Sequence, residues 1–192
     1  MSDSASNKPP FGANAVEVIA RERAYDGFFK LDKLQLRHRK FAGDWSEPLT
    51  RELVRRHQAV GVLLYDPALD AIALVEQFRA GAIDSDSAWI LELVAGLIDR
   101  DESPADVARR EALEEADCTV LALEPIFEFF MSPGGSNEYL HLFCARCDLQ
   151  NAGGVHGLPE EHEDIRVHVF SYGDAMALLN NGGIDNAITI IA

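Results

Sequence analysis

Residues 96–118 read "GLIDRDESPADVARREALEEADC", and the fold turns on what this stretch becomes. Ser103 is a favourable N-cap, Pro104 suits the first helical position, and Asp106 stands three residues beyond the cap, close to a capping box. A helix is predicted to begin there. Advancing about 100° per residue puts Glu111 and Glu115 on one stripe with Glu114 beside them, and places Ala105, Ala112, Ala116 and Leu113 on the opposite side for close packing. Like charges four apart destabilise a helix by roughly 0.2–0.5 kcal/mol per pair, so glutamates gathered on one side need a reason. A divalent cation would reverse that cost, and carboxylate oxygens are the natural ligands of Mg²⁺.

Three other readings compete with a magnesium site. An acidic helix face is most often simply solvated. Asp99, Asp101 and Ser103 have the first ligand spacings of a calcium loop, but Pro104 falls where the glycine belongs and Arg110 where the bidentate glutamate belongs. Cys144 and Cys147 have a zinc-like spacing without a second pair, inside a strand pattern, and read as core thiols.

Outward from the helix, the pattern changes character. Upstream, "AVGVLLYDPALDAIALVEQF" reads as two strands around a Pro/Asp turn, followed by "WILELVAG". Downstream, "PIFEFFM", "LHLFCARC" and "IRVHVFS" read as strands, and "GDAMALLNN" and "DNAITIIA" as helical. Strands interrupted by one central helix and closed by others predict an α+β domain, an α/β/α sandwich, over residues 58–192. Residues 1–57 read as a separate small antiparallel β-module, with two strands turning at Tyr25-Asp26-Gly27 and residues 1–13 as a flexible arm.

With 192 residues and 47% hydrophobic content, the chain can bury a full core. The start lacks the cationic and apolar stretches of a signal peptide, and "AVGVLLY" is far too short to span a membrane. Three cysteines make no disulfide framework, so a cytoplasmic location is expected. The net charge of −15 argues against nucleic acid as a partner. That charge is uneven: residues 21–56 balance at +4 and residues 57–192 at −18, a basic front suited to anions and an acidic body suited to cations.

The order of residues in the opening stretch is more specific than its charge. Gly96, five residues, Glu102, seven residues, then Arg110-Glu111-x-x-Glu114-Glu115 resembles the Nudix box, the loop-helix-loop signature of hydrolases acting on nucleoside diphosphates linked to another moiety. Ala112 replaces the usual larger aliphatic residue, and Asp117 the glycine that ends the helix; aspartate tolerates the left-handed conformation better than most residues. "DGFFKLD", "EQFR", "ELVAG", "SPGGSNE" and "HGLPEEHEDIRVHV" extend the likeness over nearly the whole chain, which is similar to the bacterial ADP-ribose pyrophosphatase branch.

The resemblance implies a Nudix fold and Mg²⁺-dependent hydrolysis of ADP-ribose to AMP and ribose 5-phosphate. It implies two or more ions per site, with Mn²⁺ able to substitute. The implied metal ligands are Glu111, Glu115, Glu163 and the Ala95 carbonyl, with Arg110 and Glu114 orienting them and Gly96 and Glu102 shaping the box. The general base is implied to lie on the loop holding Glu160, Glu161 and Glu163, with Glu161 favoured and His162 a spacer. A homodimer with exchanged N-terminal modules is implied, with adenine between Phe28 of one subunit and Arg51 of the other. Arg79, Ser132, Gly134 and Glu138 are then expected along the ribose and phosphates. Two alternatives remain: a hydrolase of another sugar nucleotide such as GDP-mannose, or a non-catalytic module that senses a nucleotide.

Overall fold

The computed structural model describes residues 11–159 and 162–192. By its contacts the chain divides into two compact units, one comprising the chain up to Arg56 with Ser132–Asn137, the other His57–Met131 with Glu138–Ala192.

The first unit is an antiparallel sheet in the order β1 (Val16–Asp26), β2 (Lys30–His38), β3 (Leu49–Arg55). The sequence pattern indicated two strands. The third, "LTRELVR", shows little apolar alternation and owes its place to cross-strand pairing, in which Glu52 lies opposite Lys33. Asp32 on β2 is only 1% exposed and is reached by Arg23 at 2.6 Å, Arg55 at 3.4 Å and Arg21 at 3.8 Å. A buried carboxylate requires such neighbours, so part of the basic excess serves the module's own interior. Ser132–Asn137 joins this unit through β3: the Val54 N–H donates to the Gly135 carbonyl at 2.8 Å, and the Asn137 side chain takes both main-chain groups of Arg56. The edge strand β1 is exposed along its whole length, Val16, Val18 and Ile19 included.

The second unit has an eight-stranded mixed sheet. Its strands are β4 (Gln58–Asp66), β5 (Ala71–Phe78), β6 (Trp89–Glu92), β7 (Val94–Ile98), β8 (Ala122–Phe130), β9 (Tyr139–Arg146), β10 (Gly154–His156) and β11 (Ile165–Ser171). Strands β4 and β5 pair only over Leu64–Asp66 and Ala71–Ala73. Beyond that they part, β6 taking up β5 and β7 taking up β4. The site is built at this split. The three-residue β10 is too short to leave a periodic signal and was not foreseen.

Alternation on the strands sorts the core into two layers. Val60, Val62 and Leu64 pack with Val107, Ala108, Ala112 and Ala116 of α1 (Pro104–Ala116). Ala59, Leu140 and Leu142 pack on the other face with Ile184 and with residues of α2 (Tyr172–Asn180) and α3 (Ala187–Ile191). The expected α/β/α arrangement is therefore present. Gly61 makes the second layer possible, since a Cβ there would sit 2.9 Å from Ile188 Cγ2.

Helix α1 starts and stops as its residues dictate. The Ser103 hydroxyl accepts from the Asp106 N–H at 3.2 Å and donates to its carboxylate at 2.6 Å. Asp117 adopts the left-handed conformation (φ 49°), and the Cys118 N–H reaches back to the Ala112 carbonyl at 3.0 Å. One expectation is corrected. The glutamates and the small residues do not occupy opposite sides, because Val107, Ala108, Glu111, Ala112, Glu115 and Ala116 form one buried face and Leu113 is exposed. Positions 112 and 115 are only about 60° apart around a helix, so one face can carry both alanines and carboxylates. The cysteines are free; Cys147, with Cys118, lies in the α1 layer, where burial pushes the thiols up to about 12 and about 11, whereas Cys144 is half-buried outside both layers.

Candidate active site

Helix α1 turns its two buried carboxylates toward β7. The Ala95 N–H donates to Glu115 Oε2 at 3.1 Å, and Glu115 is only 3% exposed. One turn earlier Glu111 lies against Gly96, where any side chain would collide with its carboxyl group. The glycine that opens the box is thus a close-approach position, and the cradle it leaves is filled by a carboxylate.

Arg110 gathers the box. It donates to Glu102 at 3.2 Å, Glu111 at 2.8 Å and Glu114 at 2.9 Å. Burial works against its charge, yet these carboxylates hold the guanidinium above its ordinary value. One arginine on three carboxylates fixes the Glu111 rotamer and leaves the cluster negative.

Glu163 approaches from the start of β11. Its Oε2 accepts from the Leu158 N–H at 2.9 Å, and the Glu163 N–H donates back to the Leu158 carbonyl at 3.3 Å. Leu158 and Glu163 are thereby tied to each other. The expected base Glu161, and Glu160 beside it, lie outside the described residues. His162 is exposed with φ 58°.

The electrostatics show that these carboxylates share one space. Burial pushes Glu115 up to about 8, with Ala95 opposing and Glu111 and Glu163 adding to the rise. Burial pushes Glu111 up to about 7, with Arg110 opposing and Glu114 and Glu163 adding. Arg79 also acts on Glu115, favouring its ionised form. Arg79 is itself held by Glu92 at 2.5 Å. Burial raises Glu92 too, against Arg79 and Gln77 beside it. The sequence reading passed over Glu92, although one acid inside the apolar run "WILELVAG" is a usable signal, because a buried charge must have a partner.

Among the described residues, no three acidic, histidine or cysteine side chains stand close enough to form a ready-made metal cage. The donor chemistry nonetheless fits a hard cation. Glu111, Glu115 and Glu163 each have one oxygen engaged by an N–H donor, and their mutual repulsion in a desolvated space is what a divalent ion relieves.

The remaining expected residues fall into two groups. Arg79 and Glu138 belong to the unit carrying α1, and Phe28, Arg51, Ser132 and Gly134 to the N-terminal unit. Phe28 is no core residue: it is 85% exposed at the β1–β2 turn, with Phe29 edge-on at 5.0 Å. Arg51 is exposed on β3, donating to the Thr50 carbonyl at 2.8 Å. Ser132 and Gly134 are exposed in the turn attached to β3, where the Ser132 carbonyl accepts from the N–H groups of Gly135 and Ser136. No helix among the described residues is long and apolar enough to cross a membrane.

Comparison with known proteins places this geometry in a family. The NUDIX domain model matches residues 55–189. An ADP-ribose pyrophosphatase of Escherichia coli (strain K12) is 47% identical over 183 residues, covering 95% of this chain and 88% of the relative. One from Haemophilus influenzae is 42% identical, covering 94% and 85%. A GDP-mannose pyrophosphatase of Pectobacterium atrosepticum is more distant at 33% identity, covering 93% and 92%. The solved structure of an ADP compounds hydrolase superimposes with a TM-score of 0.68 over 91% of this chain and 88% of that one; at 18% identity this likeness speaks for the fold. The NUDIX model spans the carboxylate-bearing helix α1 and the β6–β7 split it faces, and the relatives match nearly the whole chain: the chain belongs to the Nudix family.

Proposed function

We propose that the chain hydrolyses the pyrophosphate of ADP-ribose, with Mg²⁺, to AMP and ribose 5-phosphate. The observation that carries this reading is the pair of buried carboxylates on β7, Glu111 against Gly96 and Glu115 on the Ala95 N–H, in a chain 47% identical over 95% of its length to an ADP-ribose pyrophosphatase. The GDP-mannose pyrophosphatase relative is more distant, at 33% identity.

Glu111, Glu115, Glu163 and the Ala95 carbonyl would hold the cation, with two or more ions per site and Mn²⁺ able to replace Mg²⁺. When bound, the ions supply neutralisation of the two phosphates and polarise the phosphorus. The protein's own part is to hold and to move a proton. Arg110 locks Glu111 and Glu114 in place, and Ala95 fixes Glu115. Glu161 takes a proton from the attacking water as its oxygen bonds to the adenosyl phosphorus and the bridging P–O bond breaks toward ribose 5-phosphate. Phe28 of one subunit and Arg51 of the other hold the adenine, and Arg79, Ser132, Gly134 and Glu138 line the ribose and phosphates.

The dimer with exchanged N-terminal modules is supported by the exposed Val16, Val18 and Ile19 on edge strand β1 and by Phe28 and Phe41, 85% and 90% exposed. A cytoplasmic setting is supported by the three free cysteines.

The test is turnover of ADP-ribose, GDP-mannose, NADH and diadenosine polyphosphates with Mg²⁺ in ¹⁸O-water. ADP-ribose is expected to be preferred, with the label in AMP. Preference for GDP-mannose would reassign the substrate, label in ribose 5-phosphate would reverse its orientation, and binding without turnover would identify a sensor.

A further inference from the structure

The chain changes ladders at Leu93. The residues before it, in β6, hydrogen-bond with β5, and those after it, in β7, with β4. Leu93 belongs to neither strand, yet it is 1% exposed. A buried N–H at such a changeover needs a partner from outside the sheet.

That partner comes from the last helix. The Leu93 N–H donates to Thr189 Oγ1 at 3.1 Å, across 96 residues of sequence. Thr189 Oγ1 in turn donates to Asn186 Oδ1 at 2.7 Å, and the Asn186 side-chain amide donates to the Leu91 carbonyl at 2.6 Å. Asn186 Oδ1 also caps α3 by accepting from the Thr189 N–H at 3.1 Å. Thr189 of α3 and the helix's N-cap Asn186 therefore grip the main chain on both sides of Glu92. Glu92 pairs with Arg79, and two residues past Leu93 the Ala95 N–H holds Glu115.

We propose that Thr189 and Asn186 are positioning residues for the cation site: from the opposite face of the sheet they set the β6–β7 junction, and through it Ala95 against Glu115 and Glu92 against Arg79. This rests on the cation-dependent reading above. Neither residue touches the carboxylates. α3 lies on the layer with Ala59, Leu140 and Leu142, whereas α1 lies on the other. The clamp uses hydroxyl and amide groups because the main chain around the changeover presents a donor at Leu93 and an acceptor at Leu91, and one Asn–Thr pair answers both.

The experiment uses full-length protein and Mn²⁺ alone, with binding read by the loss of the free-ion electron paramagnetic resonance signal. Exchange of the Leu93 and Ala95 amides is followed by NMR in EDTA. Thr189→Val keeps the shape and removes the hydroxyl; Thr189→Ser restores it. Ile190→Ala perturbs α3 at a half-exposed side chain away from the clamp. Thr189→Val is expected to weaken Mn²⁺ binding about tenfold, within the range found when a ligand loses its supporting partner, and to speed exchange at Leu93 and Ala95. Thr189→Ser and Ile190→Ala should bind within about twofold of the parent. Unchanged Mn²⁺ binding in Thr189→Val overturns the proposal, as does weakening in all three variants in proportion to lost Tm. If Thr189→Val does not fold, Asn186→Ser, which withdraws the Leu91 contact and keeps a capping group, is read by the same criteria. Should the parent protein take up no Mn²⁺, the cation reading itself falls, and exchange at Ala95 decides the clamp: faster in Thr189→Val than in Ile190→Ala upholds it, equal rates overturn it.

Discussion

Any side chain at position 96 would fall on the carboxyl group of Glu111, so β7 and α1 come as close as they do because Gly96 has none. The obstructing atoms belong to the far end of a flexible side chain. Gly96→Ala should therefore displace the Glu111 carboxylate while sparing the fold. Turnover is expected to fall about 10–100-fold, with a higher Mg²⁺ requirement and an unchanged far-UV circular dichroism spectrum. Normal turnover at low Mg²⁺ would mean that the Glu111 carboxylate does not need this cradle.

The buried carboxylates make stability depend on pH and on cation together. Burial raises the Glu115 carboxyl from 4.5 to about 8. Across that window the folded protein retains a proton that the unfolded chain has released. The contribution is fully present below about pH 4.5 and is lost as the pH rises through about 8. In EDTA the Tm should fall across this range. Added Mg²⁺ should raise it most at the alkaline end, and binding should release protons. Glu115→Gln should flatten the EDTA profile, and a profile as steep as the parent's would show that other groups set it.

Glu161→Gln tests the base. Loss of a general base costs about 10²–10⁴-fold in kcat, and Mn²⁺ affinity should stay near the parent value if Glu161 is no ligand. Full activity in this variant, with the loss appearing instead in Glu163→Gln, would exchange the two roles.

Phe28→Ala should raise KM by removing the adenine stack, with little change in kcat. Mixing it with Glu115→Gln chains should regenerate one intact site per heterodimer, because each mutant chain contributes what the other lacks. Mixed samples that keep the high KM would place Phe28 and the carboxylates of a site on the same subunit.

Local chemistry made much of the fold readable before any tertiary contact was known. The Ser103–Pro104–Asp106 start, the left-handed stop at Asp117, the turn at Asp66–Asp70 and the apolar runs of β4 and β5 each involve residues near in sequence, and each appears as expected. The box spacing likewise put Glu111 and Glu115 on one helix face, since i and i+4 must share a face whatever lies opposite. What the pattern could not supply was the surroundings of those residues. It set the alanines against the glutamates, whereas β7 packs onto both, because burial depends on the partner and not on the helix alone. Strand β3 eluded the pattern for the same reason: its pairing energy resides in β2. Glu92 with Arg79, and Thr189 with Leu93, join residues 13 and 96 positions apart. Such contacts follow from how β4 and β5 part and what fills the gap. Sequence thus determined which groups could do the chemistry; only the folded chain decided which were desolvated, which were paired, and which held the others in place.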